Sequence, residues 1–205
     1  MQQKYKDELQ IYLGVEEDAF GLIDKNRFDY IIGSAHYVRK ENQYYPVDLD
    51  SATLKECINL FDNNMLAFAD AYYRDFCEYI KYRKPNIIGH FDLITKFDEM
   101  ESSIFLQNPK YNELAEKYIR IAAENDCIFE VNTGAISRGY RKTPYPSENL
   151  LHVLKTLNAK IMLTSDSHSA DTLDFGYEET TTHLKDIGFT SAYTLLDNEF
   201  KKYDL

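Results

Sequence analysis

Short apolar runs alternate along the chain with longer segments whose apolar residues recur every three or four positions. The runs are Ile11 to Val15, Asp29 to Ala35, Asn86 to Asp92, Cys127 to Asn132, Ile161 to Leu163 and Phe189 to Leu196. Their apolar residues are consecutive rather than alternating, which predicts strands covered on both faces. Between them the spacing predicts helices. One runs from Ser51, as N-cap, to Phe61. A second spans 63–84, with Met65, Ala69, Tyr72, Phe76 and Ile80 as its buried stripe and Pro85 as its stop. Asn108 and Pro109 open a third, to about Asn125, whose stripe is Tyr111, Leu114, Tyr118, Ile121 and Ala122. A fourth begins at Ser147 and turns Leu150, Leu151, Leu154 and Leu157 inward; a fifth, Tyr177 to Ile187, closes at Gly188. Residues 39–50 and 133–146 read as loops, and a charged tail follows the sixth run. Strand-helix alternation predicts a parallel α/β architecture. With no repeat or linker, residues 1–205 read as a single domain.

The ends of the runs carry the chemistry. Run one ends at Glu16-Glu17, run two at His36, and run three holds His90 next to Phe91-Asp92. Run five breaks into Thr164-Ser165-Asp166-Ser167-His168. In a (β/α) barrel, functional residues gather where strands end and βα loops converge, so this pattern favours a barrel over an open doubly wound sheet. Asp166 and His168 are two positions apart, and in an extended chain such residues point to the same side. Carboxylates and imidazoles offered together suit zinc, manganese or iron. A site of two or three such ions suits phosphate-ester hydrolysis, because a bound ion acidifies water and holds phosphate oxygens.

Each candidate has a plainer reading. His36 and His90 also fit core histidines satisfied by backbone groups, Glu16 a solvated strand end, and Glu17 competes with Glu16 for any ligand role. His152 and His183 lie beside the stripes of their helices and read as surface residues. Arg138 and Arg141, in a loop made pliable by Gly134 and Gly139, are candidates for bidentate phosphate binding, with a solvated pair as the alternative.

Composition narrows the partners. A formal net charge of −11 argues against a nucleic-acid surface. The three cysteines (Cys57, Cys77, Cys127) form no CxxC pair and read as reduced, buried thiols of a cytoplasmic protein. The opening MQQKYKDELQ lacks the apolar core of a signal peptide, and no run approaches a membrane span.

Taken together, GVE (Gly14 to Glu16), IIGSAHYV (Ile31 to Val38), IIGHFDLITKF (Ile87 to Phe97), EVNTGAISRGYRKTPYPS (Glu130 to Ser147) and LTSDSHSAD (Leu163 to Asp171) carry a family resemblance. The chain resembles the histidinol-phosphatases of the polymerase and histidinol phosphatase (PHP) superfamily, over residues 10 to 195. The resemblance implies a distorted (β/α)7 TIM-like barrel and a centre of up to three divalent ions. It implies hydrolysis of L-histidinol phosphate, a small phosphate monoester, to L-histidinol and phosphate in histidine biosynthesis, with no nucleic-acid or membrane partner. By resemblance Glu16 is the bridging carboxylate, His36 and His90 hold one ion with it, and Asp166 and His168 serve the other ions and the reaction. Arg138 falls in the phosphate-contacting region, Asn132 lines the pocket, and Asp92 lies behind the ligands. One element of the family pattern, an N-terminal His-x-His strand, has no match here; the first histidine is His36. The barrel is therefore expected to be incomplete at its N-terminus. Fewer than three ions, weak turnover, and an exposed strand edge open to self-association follow from that. Two alternatives accompany this reading: a related phosphoesterase acting on a phosphotyrosine or nucleotide, and a non-catalytic, truncated remnant that is a metal-binding or interaction protein.

Overall fold

In the computed structural model, which describes residues 2–5, 7–100 and 103–205, each predicted run overlaps a strand, the first by two residues only. β1 is Gly14–Asp18, β2 Tyr30–Ser34, β3 Tyr37–Lys40 and β4 Gln43–Pro46; α1 is Ser51–Asn59 and α2 Met65–Arg83. Then follow β5 (Ile87–Ile88), α3 (Pro109–Ala123), β6 (Ile128–Asn132), α4 (Gly134–Ser137), α5 (Glu148–Thr156), β7 (Ile161–Thr164), α6 (Tyr177–Ile187), β8 (Ser191–Leu196) and β9 (Glu199–Asp204).

Five strands form one parallel sheet in the order β1-β2-β5-β6-β7. All five C-terminal ends therefore lie along the same side, as the parallel α/β reading requires. Among the described residues the ladder has two ends, β1 and β7, and does not close on itself. The expected barrel of seven strands is thus represented by five parallel ones. The sixth run differs from expectation: β8 pairs antiparallel with β9, formed by the charged tail. The tip of that hairpin reaches the segment before β1, where Gln10 Nε2 donates to Asp197 Oδ1 (2.8 Å) and Asn198 N donates to Tyr12 Oη (3.3 Å).

A second hairpin, β3–β4, lies where a loop was expected. Its turn residues Glu41 and Asn42 both have positive φ, as do Asp197 and Asn198 in the β8–β9 turn. Two consecutive left-handed residues make a two-residue turn whose twist matches the flanking strands, and Asn and Asp tolerate that conformation best.

The helices begin and end largely as their capping residues dictate. Asn64 accepts from Leu66 N and Ala67 N to start α2, and Asn108 accepts from Lys110 N to start α3 ahead of Pro109. For α1 the cap is Asp50 rather than Ser51, its carboxylate accepting from Thr53 N at 2.7 Å. One contiguous core joins the sheet to the helices. Tyr72, Tyr73 and Phe76 of α2 pack with Phe91, Tyr111 and Tyr118, all buried. Three of these tyrosines bond through their hydroxyls inside the core: Tyr73 and Tyr111 share a 2.6 Å bond, and Tyr72 donates to Ala35 O at 3.0 Å. Ile121 and Leu157, expected inward, are more than a third exposed. Gly33 is required by close packing, since a Cβ there would stand 2.5 Å from the Tyr79 ring and 2.8 Å from Pro85.

Candidate metal centre

Successive residues of a strand face opposite sides, and β1 uses this to separate two adjacent glutamates. Glu17 turns into the layer under α2. Its carboxylate accepts from Arg83 Nη2 (2.6 Å), Arg83 Nε (2.9 Å), Tyr79 Oη (2.8 Å) and Ile23 N (2.9 Å), with its side chain fully buried. Those bonds hold its pKa below the usual value against the upward push of burial. Glu16 turns the other way, toward the strand ends, and is the glutamate that meets the histidines.

His36 follows β2 and His90 follows β5, so three neighbouring strands deliver one group each. Glu16 Oε1 lies 3.1 Å from His90 Nε2 and 3.4 Å from His36 Nε2. The two rings meet edge to face, 5.1 Å between centroids. The three ligand atoms all lie within 4.8 Å of one another. Donors about 2.1 Å from a tetrahedral ion stand about 3.4 Å apart, so these spacings fit a cation seated between them. Two imidazoles and one carboxylate are a ligand set used by catalytic zinc, with a fourth position left for water or substrate.

The electrostatics describe a site waiting for positive charge. Burial pushes the Glu16 carboxyl up, and hydrogen bonds from His36 and His90 more than reverse this, leaving it far below the carboxylate range. Burial pulls His36 down, but Asp18 and Glu16 raise it to about 10. Burial also opposes charge on His90, and the bond to Glu16 again outweighs it. Without a metal, the proton on His36 supplies counter-charge.

Two buried or half-buried carboxylates absent from the sequence reading hold the histidines in place. Asp18 Oδ2 accepts from His36 N (2.9 Å) and lies 3.4 Å from His36 Nδ1, while Oδ1 accepts from Phe20 N. Glu130, buried in the middle of β6, accepts from His90 N through Oε2 (2.8 Å) and from Thr164 Oγ1 through Oε1 (2.7 Å). A charge inside an otherwise apolar strand was the available sign, because a buried carboxylate demands partners. Behind His90, the buried atoms His90 Nδ1, Asp92 Oδ1, Asn132 Nδ2 and Tyr145 Oη have no hydrogen-bond partner among the described residues. Asp92 Oδ2 accepts from Ser147 N (3.0 Å), and Asn132 Oδ1 accepts from Gly134 N (2.8 Å), fixing the start of the loop that carries Arg138.

Asp166 and His168 form a second group with Arg138. They lie beyond β7 rather than in it, and Asp166 has φ +43°, so the extended-chain argument for their shared direction does not apply. A left-handed corner brings them together instead: His168 Nδ1 lies 2.9 Å from Asp166 O and 3.8 Å from Asp166 Oδ1. Arg138 Nη2 donates to Asp166 Oδ2 (2.9 Å), and Nη1 donates to Asp166 O (2.8 Å) and lies 3.0 Å from His168 Nδ1. All three side chains are partly or largely exposed.

Arg141 does not meet the expectation of a phosphate contact. Its side chain is fully buried, with Glu99 Oε1 at 3.2 Å and its donors on Thr95 Oγ1, Thr143 O, Thr143 Oγ1 and Pro144 O. The guanidinium also sits 4.4 Å over the Tyr145 ring. It braces the loop from inside. His152 and His183 lie at the surface as expected, each against Glu148, at 3.3 and 2.6 Å. Cys57, Cys77 and Cys127 are buried thiols, and burial raises all three pKa values.

With this geometry in hand, the family comparison is direct: the sequence profile of the PHP domain matches residues 4–134, well over half of the chain. The chain belongs to the PHP domain family. Its PHP relatives include a Schizosaccharomyces pombe protein named "Probable histidinol-phosphatase", 28% identical over 201 residues, covering 93% of this chain and 64% of the relative. The histidinol-phosphatase of Bacillus subtilis is 24% identical over 192 residues, covering 87% of this chain and 70% of the relative. The chain thus spans a little under two thirds of the length of the fission-yeast protein. Two solved structures share the PHP fold. The hisK protein of Listeria monocytogenes aligns with TM-score 0.73 and 19% identity, over 87% of this chain and 71% of its own. The histidinol phosphate phosphatase of Lactococcus lactis, crystallised with zinc, L-histidinol and phosphate, aligns with TM-score 0.62 and 20% identity, over 98% and 75%.

Proposed function

We infer that this PHP chain is a metal-dependent phosphomonoesterase of the histidinol-phosphatase type, acting on L-histidinol phosphate. The observation that carries the reading is the convergence of His36 Nε2 and His90 Nε2, from just beyond β2 and β5, on one oxygen of Glu16 in the adjacent parallel strand β1. The names of the relatives supply the substrate. Zinc, manganese or iron fits the donor set, and such an ion polarises a phosphate oxygen and acidifies water when bound. Glu16, His36 and His90 hold it. Asp18 and Glu130 orient the two histidines through their backbone N–H groups. Asp166 and His168 serve as ligands for a further ion, which needs more donors than these two supply.

Arg138 is the phosphate-binding residue in this reading. Its guanidinium now rests on Asp166, and a dianionic phosphate is a stronger partner for a planar, two-pronged donor. Asn132 fixes the backbone that presents it. Arg141 is left out of the substrate contacts because its donors are already taken. The parallel strand order fits a distorted (β/α) barrel, with the gap between the β1 and β7 edges as the place where further strands, or a second copy, would pair. We assign the chain as one domain of a cytoplasmic enzyme; among the described residues no helix is long and apolar enough to cross a membrane.

The test is a hydrolysis assay on histidinol phosphate after metal loading, beside phosphotyrosine and nucleoside monophosphates, for wild type, E16Q and H90A. Preferential release of phosphate from histidinol phosphate, lost in both variants, is the expected result. Equal turnover of all the esters would replace the substrate assignment. Unchanged turnover in E16Q and H90A would remove the proposed centre from the reaction.

A further inference from the structure

Glu130 is the buried charge that the proposed ligand set leaves unexplained. It lies at the middle of β6, between the strand that leads to His90 and the strand that leads to Asp166. Its two oxygens are divided between them, Oε2 to His90 N and Oε1 to Thr164 Oγ1. Thr164 is the last residue of β7, two positions before Asp166. The approach is close on the β5 side as well, because a Cβ on Gly89 would stand 3.4 Å from Glu130 Oε2 and 2.3 Å from Ser34 Oγ. No cationic side chain is bonded to this carboxylate among the described residues; its partners are an amide and a hydroxyl. A buried carboxylate without a counter-ion is costly unless something positive lies near.

We propose that Glu130 is a positioning residue whose fixed negative charge and two hydrogen bonds lock His90 and the Thr164–Asp166 corner in register for a divalent cation at Glu16, His36 and His90. The proposal rests on the metal reading of those three residues. It adds a function to a residue that touches neither metal nor substrate: it aligns the ligand's backbone, and its charge favours a cation over a neutral site. Outer carboxylates of this kind typically change metal affinity by about 10- to 100-fold when removed.

The experiment titrates cobalt(II) into metal-free protein, following the d–d absorption bands, and records the melting temperature of the metal-free chain. E130Q keeps the shape: its amide oxygen accepts from His90 N and its NH2 group donates to Thr164 Oγ1, so only the charge is lost. The expected result is at least about tenfold weaker cobalt binding with altered band intensities and a metal-free melting temperature close to wild type. T164V keeps the charge and removes one anchor, and a several-fold loss is expected. Wild-type cobalt affinity and spectrum in folded E130Q would overturn the proposal. Should E130Q not fold, T164V decides, and wild-type binding there overturns it. Cobalt binding by wild type that survives H36A and H90A together refutes the metal centre, and Glu130's role falls with it. Loss in the histidine variants without loss in E130Q or T164V refutes Glu130 alone.

Discussion

Replacing Arg83 with alanine removes the only cation on Glu17 among the described residues while leaving Tyr79 and Ile23 N in place. The Glu17 side chain is fully buried and that of Arg83 nearly so. Left ionised, an orphaned buried carboxylate costs about 3–5 kcal/mol. Taking up a proton is the other route. From an ordinary pKa of 4.5 to pH 7 is 2.5 units, or about 3.4 kcal/mol at 1.36 kcal/mol per unit. The cheaper route sets the loss, so R83A should be destabilised by about 3 kcal/mol at pH 7. At about 2–4 °C per kcal/mol for a chain of this size, the melting temperature falls by roughly 6–12 °C. The pH dependence follows from the depressed pKa of Glu17 in the folded chain. Its stabilisation is fully present above 4.5 and is lost as pH falls through the folded value. In R83A the buried Glu17 takes up a proton instead, and that cost shrinks by about 1.36 kcal/mol per unit as pH falls toward 4.5, so the gap between variant and wild type narrows from pH 7 toward pH 4. Thermal unfolding of the metal-free proteins by circular dichroism measures both. Cobalt titration adds the crossed control: R83A binds as wild type, because its pair lies on the far face of β1, whereas E16Q does not. A melting temperature unchanged at pH 7, a gap that stays constant down to pH 4, or cobalt binding lost in R83A and kept in E16Q would refute the assignment of the two glutamates.

Three further outcomes are expected. Because His36 carries a proton at neutral pH, with a pKa near 10, metal must displace it; cobalt affinity should rise about tenfold per pH unit for each proton displaced between pH 7 and 9, and a flat profile would contradict the ion-pair cluster. The two loop arginines should separate cleanly: R141A loses about 3 kcal/mol of stability by orphaning Glu99 and its neighbours, whereas R138A stays within about 1 kcal/mol, as half-exposed pairs do, and raises KM for the phosphate ester. Unfolding melts and steady-state kinetics on the same preparations decide this. G33A should cost about 1–3 kcal/mol, since its Cβ collides with Tyr79 and Pro85, and a neutral melt would show that α2 shifts freely over the sheet.

The parallel architecture was legible because buried strands leave uninterrupted apolar runs and helices leave spaced ones. Both signals survive in a single sequence. The cluster of Glu16, His36 and His90 was legible for the same reason: they sit at or near the points where apolar runs stop, and parallel strands put those points on one side. What escaped was whatever depends on partners distant in the chain. Glu16 and Glu17 are indistinguishable until Arg83, 66 positions on, claims one of them. Asp18 and Glu130 act through backbone N–H groups that any residue could supply. Arg138 and Arg141 look alike in sequence, and only the placement of Glu99 and Thr95 sends one inward. The two hairpins did leave a trace, in Glu41-Asn42 and Asp197-Asn198, but the flanking tyrosines and lysines hid the alternation of the strands. At Asp166, regular geometry was assumed one turn too far.

Three consecutive acids, Glu16, Glu17 and Asp18, also pose a decoding problem for β1. If the strand slid by one position, Glu17 would face the histidines and Asp18 would face Arg83, so both sides would again receive a carboxylate. Charge complementarity alone therefore does not tell the two alignments apart. Asp18 does, because in the slid alignment Ala19 would occupy its place, and the N–H groups of Phe20 and His36 would lose their acceptor. A side chain outside the Glu16, His36 and His90 cluster is in this sense the reading frame of the site.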